Sequence, residues 1–155
     1  MNQIIFLLTF LGLGYTFGSI NESRHYTSIR KREKQFLSLP AVNTKTINHT
    51  DREIEKAVLV QGSAVISIDY FKRFLAGLRN IFGGNVGVYE SLLDRARREA
   101  TLRMKETAGD ADIIVNTRLE TSPIGQSANR RSAVGSIEAI AYGTAVTYSR
   151  SNSTI

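Results

Sequence analysis

Hydrophobic and polar positions divide the chain into an apolar beginning, a polar middle and a regularly patterned second half. Residues 4–20 carry no charge, and the following stretch is polar, with scattered threonine and asparagine and no sustained period. From residue 56 onward, apolar positions recur at the spacings of strands and helices. We therefore predict four segments: a transmembrane anchor over 1–20, a basic polar tether over 21–55, a folded domain over 56–148 and a tail over 149–155.

Within the folded domain, the pattern predicts the order strand, short helix, long helix, strand, strand. Valine and isoleucine partly alternate over 57–68, which indicates a strand. Apolar residues at helical spacing follow over 69–82, and an amphipathic helix with a charged outer face is predicted over 88–107, ending at Gly109. The remaining strands are predicted over 111–121 and 133–148. The predicted fold class is a two-layer α+β domain, in which both helices pack on an antiparallel three-stranded sheet.

The last predicted strand indicates that both faces of this sheet are apolar. Its alternate positions are Ile137, Ala139, Ala141, Gly143 and Ala145 on one face, and Val134, Ile140, Tyr142 and Val146 on the other. Only Glu138 interrupts the second set, whereas a half-solvated antiparallel strand normally has a polar face. Since the helices cover one side, a second copy of the domain is the simplest cover for the other. The sequence therefore predicts a homo-oligomer.

The apolar beginning of the chain predicts a single membrane-spanning helix. Residues 4–20 would span roughly 25 Å at about 1.5 Å per residue, slightly less than the ~30 Å hydrocarbon core. A cleaved signal peptide would start with basic residues, and a buried core helix would show a polar face. Basic residues follow the segment and none precede it, so the predicted location is the inner membrane with the C-terminal domain in the cytoplasm. Export after signal-peptide cleavage is the alternative.

Charge and composition narrow the classes of partner. The net charge is +6, and its densest cluster is "RKREK", directly after the predicted anchor. Arg30, Lys31, Arg32 and Lys34 are therefore predicted to face a membrane surface, with a solvated linker as the alternative. No basic face with interleaved stacking aromatics is evident, so a nucleic acid is not expected. The chain has no cysteine, which excludes disulfides, thiolate metal sites and a cysteine nucleophile.

The folded part resembles the YbjQ-like family. The similar residues are Gly62 and Ala64, the aromatic helix running into "GGNVGVYE" at 83–90, "GDADIIVN" at 109–116 and "GTAV" at 143–146. The resemblance covers about 57–148 and implies a small YbjQ-like or dodecin-like subunit that assembles as a ring, typically a pentamer. It implies no known reaction. The family carries a heavy-metal-binding label, but no established ligands that can be transferred to this chain.

The glycine-rich turn before the long helix has two interpretations. Glycines at this point favour a tight helix-to-helix connection that uses positive φ angles. The alternative is an anion held by Gly84, Asn85 and Gly87 at the start of the long helix, where free N–H groups and the helix dipole favour negative charge. The stretch follows a helix and no lysine succeeds it, so it does not match the phosphate-binding loops of nucleotide-binding proteins.

A metal site in the folded domain would have to use carboxylates, because both histidines lie in the predicted tether. The candidate ligands are Asp110, Asp112 and Glu138, particularly where a ring brings several copies together. The alternative is that the two aspartates form a turn. Glu138 would then pair with an arginine such as Arg118 at a subunit contact, or line a central channel.

Catalysis has little support in this sequence, which shows no triad, no reactive thiol and no zinc-protease motif. The predicted function is a membrane-tethered homo-oligomeric scaffold or small-ligand-binding domain. The alternative is a metal- or anion-binding protein with sites on the oligomer axis or at the glycine-rich turn. A third hypothesis is a basic module that contacts anionic lipid. The cofactor is left open, with a metal as the one candidate.

Overall fold

The computed structural model describes residues 2–46, 52–67, 87–124 and 136–149. The elements in these ranges are helix α1 (Asn2–Gln35), strand β1 (Ile54–Ser67), helix α2 (Gly87–Thr107), strand β2 (Ile113–Ile124) and strand β3 (Ser136–Tyr148). The short helix predicted over 69–82 lies outside the described residues. The boundaries drawn after residues 20, 55 and 148 stay a prediction, and α1 runs across the first of them without a break.

The strands form a three-stranded sheet in the order β1-β3-β2, with β3 antiparallel to both neighbours. The predicted antiparallel three-stranded sheet is therefore confirmed. β2 contains a bulge between Val115 and Arg118, where Asn116 has a φ of 50°. Asparagine is one of the few residues that adopt this left-handed conformation readily, which allows the strand to resume its pairing after the extra residues.

The chain between α1 and β1 extends the sheet beyond β2. Ala41 forms a parallel bridge with Ile114, and the N–H of Val42 donates to the Ile114 carbonyl at 2.9 Å. The Thr117 N–H returns a bond to the Val42 carbonyl at 2.9 Å. These bonds satisfy the backbone along half of an edge that would otherwise be open to another strand.

Helix α2 packs closely on one face of the sheet because that face is lined with small residues. Ala139 and Ala141 are fully buried there, and Ala96 and Ala100 face them from α2. At Gly62 the approach is closest, since an added Cβ would lie 2.3 Å from the Met104 nitrogen. The helix ends as the sequence predicts: it stops at Thr107, and Gly109 has a φ of 57°.

Helix α1 is a continuous helix of 34 residues whose second half docks on α2. Ile29 is completely buried in that contact, whereas Phe6, Phe10 and Phe17 in the first half are exposed. Beyond the helix, Leu39 joins the main core beside α2.

The transmembrane helix predicted over residues 1–20 is wrong. Among the helices in the described ranges, none is long and apolar enough to cross a membrane. The helix that contains those residues does not stop at residue 20 but continues into a charged half whose side chains pair with α2. The inner-membrane location inferred from the anchor is therefore wrong as well.

Candidate functional site

The sheet face opposite α2, here called the open face, is the first candidate surface. Directly opposed residues of antiparallel strands share a face, so the pairing register assigns its members. They are Leu59, Gln61, Ser63 and Val65 of β1; Glu138, Ile140, Tyr142 and Thr144 of β3; and Arg118, Glu120 and Ser122 of β2. The open face therefore mixes apolar and polar side chains in β1 and β3, including the charged Glu138, and carries Arg118 and Glu120 in β2.

Large apolar side chains on the open face are accessible to solvent. Leu59 is 71% exposed, Val65 is 53% exposed and Ile140 is 37% exposed. In the described part of the chain, both helices lie on the other side of the sheet, because α2 packs on the Gly62 face and α1 packs on α2. One end of the open face is closed by a small cluster in which Val42 covers Val146 and its neighbours.

Glu138 and Arg118 both lie on the open face but do not meet within one chain. Glu138 is half-buried opposite Val65, and Arg118 lies opposite Tyr142. Tyr142 is four positions along β3 from Glu138, a separation of about 13 Å at ~3.3 Å per residue. The pairing of these two side chains across a subunit contact stays a prediction.

The candidate metal ligands are not brought together. The Asp112 carboxylate accepts the N–H of Tyr148 at 2.8 Å, while its own N–H donates to the Val146 carbonyl at 2.9 Å. Asp112 thus fixes the turn into β2, and Asp110 is exposed beside it. Glu138 is eight positions from Val146 on β3, about 26 Å away. Within the described ranges, no three histidine, cysteine, aspartate or glutamate side chains gather, so these residues do not fit a heavy-metal centre in a single chain.

The two remaining predicted sites are the anion site and the basic cluster, and the structure describes the first only in part. Gly84 and Asn85 lie outside the described residues and Gly87 is the first residue of α2, so the anion site stays a prediction. In the basic cluster, Arg30, Lys31 and Lys34 are exposed. Arg32 instead turns inward and binds carboxylates of α2.

Glu99 of α2 is the buried charge that sequence reasoning missed. Its side chain is 6% exposed and forms a two-point ion pair with the Arg32 guanidinium, with one Nη1–Oε1 distance of 3.2 Å. Arg103 Nε donates to the same carboxylate at 3.0 Å, and its Nη1 donates to the Ser63 carbonyl at 2.8 Å. Burial raises the pKa of Glu99, but the bonds from the two arginines outweigh it and hold the pKa below its usual value. Glu99 therefore connects α1, α2 and β1.

A signal for this cluster was present in the sequence. Glu99 comes seven residues after Leu92, so it lies at the border of the apolar stripe of α2 rather than on its solvated side. Leu102 lies four positions after Arg98, on the charged side of α2 that the pattern predicts to face outward, and it is also buried. An apolar residue among charges indicates that this side is covered, and α1 provides the cover.

A second set of contacts lies along the same helix pair. Arg98 of α2 donates to both carboxylate oxygens of Glu33 at 2.7 and 2.6 Å, and to Asp94 at 3.4 Å. Tyr26 lies beneath the guanidinium groups of Arg95 and Arg98, at 5.6 and 5.9 Å from its ring centre. Charge pairing and cation–π contacts therefore hold α1 to α2 along much of its second half.

Comparison with known proteins identifies relatives of this chain. The family model YbjQ_1, described as "Putative heavy-metal-binding", matches residues 41–149. A UPF0145 protein of Clostridium novyi is 41% identical over 107 residues, covering 68% of this chain and 94% of its own. A UPF0145 protein of Halobacterium salinarum is 39% identical over 109 residues, covering 68% and 95%.

A structural comparison found a protein of unknown function, from the DUF74 family of Pediococcus pentosaceus. It covers 72% of this chain and 98% of its own, with 17% identity and a TM-score of 0.42, a similarity that supports no functional inference. The sequence comparisons establish the family, because the matched residues 41–149 include β1, α2, β2 and β3. The chain therefore belongs to the YbjQ (UPF0145) family.

Proposed function

We propose that this protein is a homo-oligomeric scaffold in which copies of the chain cover one another's open face. The observation that carries the proposal is the exposure of Leu59, Val65 and Ile140 on a sheet face that neither described helix covers. Scattered exposed apolar residues are ordinary on monomers, but these three lie on the same face of two adjacent strands.

The charges of the open face also suit contact with a second copy. Glu138 and Glu120 lie towards one end of the face, and Arg118 lies nearer the other. A neighbouring copy that runs in the opposite direction places its arginine towards these carboxylates, with Ile140 near the middle of the contact and Leu59 and Val65 towards its two ends. Such an arrangement supports the predicted pairing of Glu138 with Arg118. The ring of five implied by the family resemblance stays a prediction.

Sedimentation velocity and native mass spectrometry of the full chain test this proposal. We expect an assembly larger than a monomer at micromolar concentration, and dissociation in the Ile140→Arg and Leu59→Asp variants, because each buries a charge against the facing copy. Leu37→Asp is the matched control, since Leu37 is 78% exposed but lies just after α1, away from the sheet face. A monomeric wild-type chain, or an assembly that both open-face variants leave intact, contradicts the proposal.

A further inference from the structure

A cavity of about 550 Å³ lies between the end of α1, the outer side of α2 and the edge of β2. It is on the opposite side of the sheet from the open face, and its lining combines two kinds of side chain. The floor is apolar and includes Phe36, Leu39, Leu102 and Leu119, while the rim is cationic and includes Arg97 and Lys105. The volume is in the range of small-molecule sites.

The floor is supported by the core rather than by mobile surface groups. Leu39 and Leu102 are both buried, and Phe36 packs against the main core. Leu119 remains 39% exposed although it points to the same side of the sheet as α2. An apolar ligand would therefore find a fixed surface on one side and a partly exposed leucine on the other.

The cavity carries an excess of positive charge. Glu33 and Arg98 also line it, but they neutralise each other through their two-point ion pair. The Lys105 Nζ donates to the carbonyl oxygens of Phe36 at 3.1 Å and Leu39 at 2.7 Å, which are neutral acceptors. Among the described residues, neither Lys105 nor Arg97 has a carboxylate within ion-pairing distance. In the described part of the chain, the two cationic groups next to the apolar floor thus form no ion pair, and the nearby Glu33 carboxylate, which acts on Lys105 from a longer distance, is already paired with Arg98.

We propose that this cavity binds an amphipathic anion, with a carboxylate head on the cationic rim at Arg97 and an alkyl chain on the leucine floor. The cationic rim favours an anion, and the apolar lining favours a ligand with an alkyl chain over a small inorganic ion. The site is complete within one chain, so it does not depend on the oligomer proposed above.

The segment that precedes the family domain builds half of this site. The family match begins at residue 41, whereas Glu33, Phe36 and Leu39 come before it. The proposed ligand site is therefore a property of the α1 extension docked on α2, and the description of the family does not include it.

Isothermal titration of the full chain with decanoate, below its micelle concentration, tests the proposal. We expect saturable binding of one decanoate per chain, with much weaker binding of decanol and of acetate, which lack the head and the chain respectively. Arg97→Gln is expected to weaken decanoate binding about fivefold, the size of one partly exposed charge contact. Arg24→Gln is the matched control: it removes the same charge from an exposed position on α1 and is expected to leave binding unchanged.

Lys105→Gln also removes two bonds to the chain after α1, so its folding is checked by circular dichroism before titration. Arg97 is exposed, and its side chain forms no hydrogen bond or ion pair in the described part of the chain. The Arg97→Gln variant is therefore informative even if Lys105→Gln does not fold. Equal affinity for decanol and decanoate, or unchanged decanoate binding in Arg97→Gln, overturns the proposal. Dissociation of an assembly by Arg97→Gln also overturns it, because a second copy of the chain would then be the occupant.

Discussion

Helix α2 contacts the sheet on one side and α1 on the other, and the two contacts use opposite chemistry. Against the sheet it places small buried residues such as Ala100, at a point where Gly62 has no side chain to separate helix from strand. Against α1 it places Glu99 between two arginines and extends Arg98 to Glu33. The sheet contact depends on close approach, whereas the α1 contact adds ion pairs to the burial of Ile29 and Leu102.

Because of this difference, the two contacts of α2 respond differently to mutation and to pH. A contact made by close approach of backbones does not respond to pH but tolerates no added volume. A contact made by ion pairs accepts changes of shape but depends on the protonation and presence of each partner. The first holds the family domain together, and the second decides whether the α1 extension stays attached to it.

The largest expected effect is that of Gly62→Val. The first added carbon would lie 2.3 Å from the Met104 nitrogen and 2.5 Å from the Ala100 carbonyl oxygen, both backbone atoms that cannot rotate away. Helix α2 must therefore move off the sheet, and we expect a loss of about 3 kcal/mol or more in the free energy of unfolding. Urea denaturation measures it.

Gly12→Ala is the matched control for that substitution. Gly12 lies inside α1, and an added Cβ there meets nothing within 4 Å in the described structure. Alanine is a better helix former, so a small gain of up to about 1 kcal/mol is expected. Equal losses in the free energy of unfolding at the two glycines would show that the loss at Gly62 does not come from the close approach of α2 to β1.

Glu99→Gln is expected to have the next largest effect. The substitution keeps the shape of the side chain but leaves Arg32 and Arg103 without the carboxylate that they share. We expect a loss of about 2 kcal/mol, less than for a fully buried pair because the two arginine side chains are 23% and 52% exposed. Limited proteolysis should cut within α1 first, while α2 and the sheet remain protected.

Glu106→Gln removes the other carboxylate that pairs with Arg32, and it serves as the control for Glu99→Gln. Its side chain is 41% exposed and lies 3.2 Å from Arg32. Exposed pairs contribute little, so the expected loss is below about 0.5 kcal/mol. A Glu106 effect as large as that of Glu99 would contradict the assignment of Glu99 as the centre of the contact.

A pH dependence between pH 7 and 5 is expected from His25 at the same contact. Burial, followed by the charge of Arg95, lowers the pKa of His25 below 6.5, and the nearby Glu99 carboxylate opposes this only in part. The unfolded chain therefore takes up the proton first, and stability that is full above pH 6.5 is lost as the pH falls towards the folded pKa. We expect the free energy of unfolding to decrease as the pH is lowered through this range.

Thermal unfolding across this pH range, compared with the His25→Gln variant, measures that contribution. The carboxylates of the contact do not interfere, because the pKa values of Glu99 and Glu33 are lowered and their contribution is lost only below about pH 4.5. An unchanged pH profile in His25→Gln would assign the dependence to other groups.

The sequence predicted the three strands and the long helix of the family domain because their signals are local. Alternation in 57–68 and 133–148, the helical period of 88–107 and the end at Gly109 each report on a few neighbouring residues. The structure places strands and a helix there, and the order of the sheet follows from the antiparallel pairing of β3 with both neighbours. That β3 carries apolar residues on both of its faces was also readable from its own sequence, whereas the polar residues that β1 and β2 add to the open face follow only from the register.

The α1 contact could not be predicted in this way because its signals are far apart in sequence. Arg32 and Glu99 are separated by 67 positions, and neither is unusual among its charged neighbours. The apolar residues 4–20 match a membrane-spanning pattern when considered alone, whereas the charged residues that continue the same helix are explained only by α2. The cavity has the same origin, since it exists only when α1 has docked.

The coupling between Glu33 and Arg98, another small expected effect, completes the comparison of the two sides of α2. Their side chains are 37% and 28% exposed, and the pair has two-point geometry at 2.6 and 2.7 Å. A double-mutant cycle with Glu33→Gln and Arg98→Gln should therefore give about 0.5 kcal/mol, the upper part of the range for solvated pairs being about 1. A coupling above 2 kcal/mol would mean that α1 is held at two strong points. In that case Glu99→Gln alone should no longer release the helix to protease, and the two measurements check each other.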